Sequence, residues 1–154
     1  MNKKDKITHR VKKFHHEIIE LIKKYQFRDR NQVMCAGISV SQCYTLEILH
    51  RFGPLKMNQL SDRMCLTIST MTRIIDQLVK KRLVLRDEDA KDRRIRLIRL
   101  TEEGKKVYQS AWKNTFQSEK AILESFSEEH REVLINFLKR LNQAFPQNRK
   151  CENR

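Results

Sequence analysis

Glycine, proline and long apolar runs are all scarce in this chain. Only three glycines and two prolines occur among its 154 residues, which argues against a loop-rich sandwich or barrel and favours long helices. No apolar run approaches the roughly 18 residues of a membrane-spanning helix, so no segment is predicted to cross a bilayer. The basic N-terminus lacks a following apolar segment, so we expect no secretory signal there.

Cysteine is present, but without a recognisable framework. Cys35, Cys43, Cys65 and Cys151 show no Cys-x-x-Cys spacing, and a domain of this length can bury a core without disulfides. A reduced, cytoplasmic protein is therefore expected. The sequence also lacks a glycine-rich phosphate loop, a nucleophile elbow and a His-Glu-x-x-His motif, so we predict no enzymatic activity, no cofactor and no metal.

The charge of the chain is strongly positive and unevenly distributed. Lys and Arg number 33 and Asp and Glu 19, which gives a net charge of +14. Residues 1–30 hold ten basic and four acidic side chains, and residues 60–100 hold eleven and six. This excess indicates a polyanionic partner, either nucleic acid or an acidic membrane surface. A membrane-surface protein leaves the middle of the chain unexplained, so we favour nucleic acid.

Apolar residues recur at helical spacing near both ends of the chain. The first stripe predicts a helix over about residues 4–27, followed by a polar stretch from Arg28 to Gln32. This stripe comprises Ile7, Val11, Phe14, Ile18, Leu21 and Tyr25. A second stripe comprises Leu134, Phe137, Leu141 and Phe145, in a helix that Ser127 is predicted to cap. Stripes with this spacing also suit packing against another long helix.

The middle of the chain is predicted to hold three helices and then a β-hairpin. The first two helices cover about Ser41–Phe52 and Met57–Met64, and the third follows the N-cap Thr67 to about Arg82. Its inward side chains are predicted to be Ile68, Met71, Ile74, Ile75 and Leu78. Strands over 83–86 and 95–100 flank a polar segment, and Thr101 is predicted to cap a helix that continues to about Ser125.

This order of elements can bind DNA. An α-helix fits the major groove, and its first turns reach the base edges. The polar candidates on the third helix are Ser69, Thr70, Thr72, Arg73 and Gln77. The tip of the hairpin contains Lys91, Arg93 and Arg94, which can reach a minor groove. Charge and element order therefore predict a mostly α winged helix-turn-helix with a small β-hairpin wing.

Several segments between Gln42 and Gly104 form a recognisable pattern, namely 57–64, 69–78 and 81–86, the hairpin motif Asp92-Arg93-Arg94, and the exit Leu100-Thr101-Glu102-Glu103-Gly104. This stretch resembles the MarR family of bacterial transcriptional regulators, in which the hairpin motif belongs to the wing. One departure is Arg82, because the family often has glycine immediately before the strand. We expect this arginine to add local strain.

The resemblance implies a sequence-specific regulator that binds a pseudo-palindromic duplex operator as a homodimer, in the cytoplasm at the nucleoid. It implies a single domain over 1–154, with a winged-helix lobe over about 40–101 and dimerisation helices over about 4–27 and 102–146. Arg94 would enter the minor groove, oriented by Asp92. The dimer interface would comprise Ile7, Val11, Phe14, Ile18, Leu134, Phe137 and Leu141.

The sequence predicts the signal that controls the regulator less clearly than it predicts the DNA-binding residues. Similar proteins often bind a small aromatic or phenolic acid, so we expect a repressor released by an anionic or phenolic ligand. The candidate pocket residues are His15, Tyr44, His50 and Trp112. Redox sensing through Cys35 or Cys43 is an alternative, although the family's peroxide sensors have their cysteine in the first helix, which lacks one here. A second alternative is zinc sensing, with the metal held by His15, His16, His50 and these cysteines.

Overall fold

Six helices and three short strands form the part of the chain that the structure, a computed structural model, describes, namely residues 3–34, 37–88 and 96–145. The helices are α1 (Lys3–Met34), α2 (Val40–Phe52), α3 (Met57–Met64), α4 (Ile68–Lys80), α5 (Glu102–Glu124) and α6 (Glu128–Ala144). The strands are β1 (Leu55–Lys56), β2 (Val84–Glu88) and β3 (Arg96–Leu100). The predicted mostly helical fold with a small β wing is confirmed.

The first helix is longer than predicted. α1 continues to Met34, so the interpretation of the stretch from Arg28 to Gln32 as a break was wrong. No glycine or proline interrupts the chain there. Two of the polar residues have partners on other helices, because Arg28 donates to Glu119 of α5 and Asp29 accepts from the hydroxyl of Tyr44 on α2. Their polarity therefore reflects contacts between helices rather than a loop.

The sheet contains one more strand than predicted. β2 and β3 form the expected antiparallel hairpin, with Val84 opposite Leu100 and Glu88 opposite Arg96. β1 pairs with the other edge of β3, which places Leu55 opposite Ile98. A segment of two residues is too short to show the alternating pattern of a strand, so no local pattern predicts β1.

The fully buried side chains lie on the helix-turn-helix and the sheet. Leu46, Leu60, Met71, Ile75 and Leu78 have no exposed surface. This confirms most of the predicted inward face of α4. In contrast, no described side chain of α1 or α6 is fully buried.

The prediction that Ile68 faces inward was wrong, because 57% of this residue is exposed. Ile68 is the first residue of α4, and Cα–Cβ bonds tilt toward the helix N-terminus. A side chain at this position therefore projects past the end of the helix, although its spacing from Met71 and Ile75 suits the inward stripe.

Two of the three predicted N-caps form. The hydroxyl of Thr67 accepts from the Thr70 amide at 3.3 Å, and that of Thr101 accepts from the Gly104 amide at 2.9 Å. Ser127 occupies the N-cap position of α6 but makes no capping bond, because its hydroxyl instead lies 2.9 Å from Nδ1 of His130.

The start of α5 is fixed against the end of the α4–β2 connection. The backbone amide of Thr101 donates to the carbonyl oxygen of Leu83 at 3.1 Å. The hydroxyl of Thr101 donates to the carbonyl oxygen of Arg82 at 2.8 Å. A Cβ at Gly104 would lie 2.0 Å from the Leu83 carbonyl oxygen. Glycine is therefore required where the first turn of α5 crosses this backbone.

Arg82 has the left-handed conformation that the departure from the family pattern suggested. Its φ is 59°, and it follows the last turn of α4 in the position where helices usually have glycine. Its backbone amide donates to the carbonyl oxygen of Val79 at 2.8 Å. The backbone amide of Leu83 donates to the carbonyl oxygen of Leu78 at 2.9 Å. These two bonds form a Schellman motif, which a residue with a Cβ adopts only at an energetic cost.

Arg82→Gly should therefore stabilise the protein. We expect the free energy of unfolding to increase by about 0.5–1 kcal/mol, because glycine removes the left-handed penalty but has a more flexible unfolded state. The matched control is Lys80→Gly, within the right-handed last turn of α4, which should destabilise by about 1 kcal/mol. Denaturant unfolding of both variants measures this, and equal destabilisation by both would contradict the assignment.

Candidate nucleic-acid interface

A tight turn presents the N-terminus of α4 at the surface. α3 ends at Cys65, which has a left-handed φ of 51°, and the amide of Leu66 donates back to Ser61 at 3.0 Å. Leu66 packs partly against the core, and Thr67 then caps α4. Three residues thus reverse the chain between α3 and α4, which is the arrangement of a helix-turn-helix.

The predicted DNA-contacting side chains of α4 mostly lie on its exposed side. Ser69, Thr70, Arg73 and Gln77 are exposed, and Thr72 is half-buried. The hydroxyls of Ser69 and Thr70 lie 3.0 and 2.9 Å from that of Thr67. Thr72 donates its hydroxyl proton to the carbonyl oxygen of Ile68 at 2.8 Å. The hydroxyl groups of this first turn therefore already form a local network.

Arg73 is the cation on this exposed side of α4. It is exposed, and it makes no ion pair with the residues that the structure describes. Its guanidinium has five N–H donors in a planar arrangement, which suits either a guanine edge or a phosphate.

Gln77 is held by α2 rather than pointing freely outward. Its side-chain oxygen accepts a hydrogen bond from the side-chain NH₂ group of Gln42 at 2.7 Å. Gln42 is buried, and its own oxygen accepts from Lys81 at 3.1 Å. Gln77 therefore connects α4 to α2, although its side-chain NH₂ group can still donate to another partner.

The stem of the wing contains three ion pairs. Arg86 pairs with Asp76 of α4 at 2.5 Å, Arg96 with Glu88 at 3.4 Å, and Arg99 with Asp87 at 3.4 Å. The pair between Arg86 and Asp76 joins the wing to α4. The predicted tip residues Lys91, Asp92, Arg93 and Arg94 lie outside the described residues.

A cleft of about 350 Å³ opens between α1, α2 and α5. Its aromatic lining residues are Tyr25, Tyr44, Tyr108 and Trp112, and its charged ones are Arg28, Asp29, Glu47 and Glu119. The guanidinium of Arg28 pairs with Asp29 at 2.7 Å and with Glu119 at 3.2 Å, and it lies 4.2 Å from the centroid of the Tyr25 ring. Among the residues that the structure describes, three carboxylates thus face one cation in this cleft.

Burial and these carboxylates disfavour negative charge on the neighbouring side chains. Burial first, then Glu47 and Asp29, raise the pKa of the Cys43 thiol to about 11. Burial and the hydrogen bond to Asp29 likewise raise the pKa of Tyr44. Since only a thiolate is an efficient nucleophile, Cys43 is poorly suited to sensing oxidants at neutral pH. The other redox candidate, Cys35, lies outside the described residues.

The structure brings together only two of the four predicted pocket residues. Tyr44 and Trp112 line the cleft, but His15 and His50 do not. His50 instead lies against the ring of Tyr108, with the ring centroids 4.6 Å apart and the ring planes tilted by 36°. Arg28 and Asp29 were missed because α1 was expected to end near residue 27, and Tyr25 had been assigned only to the apolar stripe of that helix. Within the described ranges, no three His, Cys, Asp or Glu side chains lie close enough together to hold a metal ion.

The predicted interface residues of α1 and α6 remain uncovered in the single chain. Ile7, Val11 and Phe14 are exposed, and Phe137 is 63% exposed. Ile18, Leu134 and Leu141 are half-buried. Large apolar side chains thus remain exposed along both helices, and the rest of the predicted set is only partly covered by its own chain.

Comparisons with known proteins agree with this geometry. The sequence profile of the MarR family matches residues 38–95. The uncharacterized HTH-type transcriptional regulator YdgJ of Bacillus subtilis (strain 168) is 31% identical over 123 residues, which cover 76% of this chain and 75% of YdgJ. The HTH-type transcriptional repressor MdtR of the same organism is 35% identical over 68 residues, 44% of each chain.

A solved structure is similar over nearly the whole chain. The structure of a MarR family protein from Bacillus stearothermophilus superposes with a TM-score of 0.76 and 29% identity, and the match covers 93% of this chain and 96% of that one. No described helix is long and apolar enough to span a membrane. Fold, surface and relatives define a winged helix-turn-helix transcriptional regulator that binds DNA. The chain belongs to the MarR family.

Proposed function

We propose that this regulator is a homodimeric repressor that binds a pseudo-palindromic duplex operator, acts in the cytoplasm at the nucleoid, and releases DNA when a small aromatic ligand enters the cleft between α1, α2 and α5. The observation that supports DNA docking most directly is the exposed side of α4, where Arg73 has no described ion-pair partner. The similarity to the transcriptional repressor MdtR supports repression.

Two recognition helices fit two half-sites about one helical turn apart. In this proposal α4 of each subunit enters a major groove, and Arg94 of each wing enters a flanking minor groove. The basic side chains around them contact phosphates, which contribute affinity without sequence information.

Binding of purified variants to an operator selected from random duplexes tests this docking. Arg94→Ala should weaken binding by roughly 5- to 150-fold, whereas Arg73→Ala and Thr72→Ala should change which bases are preferred. The matched control is Lys120→Ala, which removes a cation near the C-terminal end of α5 and should bind like wild type. Affinity should also fall steeply with salt, because phosphate contacts release counterions.

The docking is contradicted if Arg94→Ala, Arg73→Ala and Thr72→Ala all bind the operator like wild type. Binding to anionic lipid vesicles without any binding to duplex DNA would instead support the membrane-surface alternative.

The uncovered apolar residues of α1 and α6 support the dimer. Burial of residues such as Phe14 and Phe137 between two chains would remove their apolar surface from water, which is the main favourable contribution to permanent association. Such an interface would also hold the two copies of α4 at a fixed separation, which a palindromic operator requires.

Phe137→Glu should dissociate or unfold the dimer. It would place an unpaired carboxylate in an apolar interface, and we expect the dissociation constant to increase by on the order of 100-fold or more. Gln143→Glu, on the opposite side of α6, is the control and should remain dimeric. Sedimentation velocity measures both, and a wild-type monomer at micromolar concentration would refute the dimer.

The charge of the cleft supports a different ligand class from the one that the sequence suggested. Among the described lining residues, Asp29, Glu47 and Glu119 face the guanidinium of Arg28, which is already paired with two of them. An anionic ligand would meet net repulsion. A cationic or neutral aromatic molecule would gain from the carboxylates and from the faces of Tyr44, Tyr108 and Trp112. We therefore propose a cationic or neutral aromatic effector.

The helix α2 can connect the cleft to the DNA-binding surface. Tyr44 and Glu47 on α2 line the cleft, and Gln42 on the same helix bonds Gln77 of α4. A ligand weakens DNA binding only if it binds the DNA-incompetent conformation more tightly. A shift of α2 would supply that difference, because it would move or break the contact between Gln42 and Gln77.

Operator affinity in the presence of matched ligands tests the effector. Benzyltrimethylammonium chloride should weaken binding by roughly 5- to 150-fold, whereas sodium benzoate should act no more strongly than sodium chloride at the same ionic strength. Glu47→Gln should abolish the response and Glu103→Gln, on the exposed side of α5, should keep it.

Mild peroxide, and zinc with and without chelator, should leave operator binding unchanged. Release by benzoate alone would restore the phenolic-acid expectation. Release by peroxide that is lost on replacing Cys35 or Cys43 by serine would make the cysteines the sensor.

A further inference from the structure

Ile68 is a large apolar side chain that the core of its own subunit does not use. It is the first residue of α4, directly after the N-cap Thr67, and it is 57% exposed. Its carbonyl oxygen accepts from the hydroxyl of Thr72 at 2.8 Å, so its backbone is held in the first helical turn. The side chain therefore projects from a rigid position at the tip of the helix.

The surface around Ile68 is otherwise polar. Ser69, Thr70 and Arg73 are exposed beside it on the first turns of α4. The hydroxyls of Ser69 and Thr70 already face that of Thr67 at about hydrogen-bonding distance, 3.0 and 2.9 Å. An isolated exposed apolar residue is common on protein surfaces. This one lies in the turn of a recognition helix that reaches base edges in the major groove.

We propose that Ile68 determines specificity by contacting the C5-methyl group of a thymine in each half-site. Of the groups that base pairs present in the major groove, the thymine methyl is the apolar one. An apolar side chain that contacts this methyl distinguishes thymine from cytosine, which lacks it. This inference rests on the proposed docking of α4 and adds an apolar contact to the polar candidates of the same helix.

Removing one thymine methyl should produce a modest, measurable loss of affinity for the operator. Burial of one methyl group corresponds to roughly a three- to fivefold change in dissociation constant. Replacing the contacted thymine by deoxyuridine in both half-sites should therefore weaken binding roughly 10- to 20-fold, if the two half-sites contribute independently. Deoxyuridine retains the hydrogen-bonding groups of thymine, so the substitution isolates the methyl contact.

The experiment measures the full chain on an operator selected from random duplexes, with each thymine replaced in turn by deoxyuridine. Wild type should lose affinity at one symmetry-related thymine position. Ile68→Ala should bind the thymine and deoxyuridine operators equally, and Ile68→Val should retain part of the difference. Arg73→Ala is the matched control on the same helix, and it should weaken binding while keeping the wild-type ratio.

Folding of Ile68→Ala is checked by its unfolding midpoint, which should match that of wild type because the side chain is exposed. The inference is overturned if Ile68→Ala keeps the wild-type ratio, or if wild type binds its operator with no sensitivity to any thymine methyl. Failure of wild type to prefer any selected duplex over a scrambled one would instead overturn the proposed docking itself.

Discussion

The carbonyl oxygen of Leu83 accepts from the amide of Thr101 at 3.1 Å, directly beneath the first turn of α5. Thr101 also bonds Arg82 and caps α5 through Gly104, whose missing Cβ lets the two backbones approach this closely. The same short connection ends α4 and begins β2. This contact therefore links the positions of α4, the wing and the long helix α5. This contact explains the Leu-Thr-x-x-Gly motif at residues 100–104. Thr101 supplies the capping hydroxyl, and Gly104 lacks the side chain that would clash with Leu83.

A second constraint runs through α2. One part of this helix faces the cleft with Tyr44 and Glu47, and another part faces α4 through Gln42 and Gln77. Because Gln42 is buried, loss of its hydrogen bonds would leave a polar group unsatisfied, which is costly. A shift of α2 at the cleft therefore requires a response at its contact with α4, because the same helix makes both contacts. The cleft and the DNA-binding surface are thus properties of one packing arrangement.

Local sequence signals predicted much of the fold. The caps at Thr67 and Thr101, the inward stripe of α4 from Met71 to Leu78 and the β-hairpin all follow from interactions within a few residues. The failures occurred where a distant contact decides the local structure. The polar stretch after residue 27 is helical because Arg28 and Asp29 bond α5 and α2, and β1 exists because Leu55 pairs with Ile98, 43 positions along the chain.

The class of protein follows from the amino-acid sequence, because net charge, element order and the motifs between Gln42 and Gly104 are readable without coordinates. The sequence also places polar and basic candidates on α4 and the wing. The side chains that share the cleft are known from the folded chain alone, since Asp29, Glu47 and Glu119 come from three different helices. It also decided that Ile68 is exposed. Helical periodicity describes which face a residue lies on, but whether another element covers that face depends on where the helix ends and on what packs beside it.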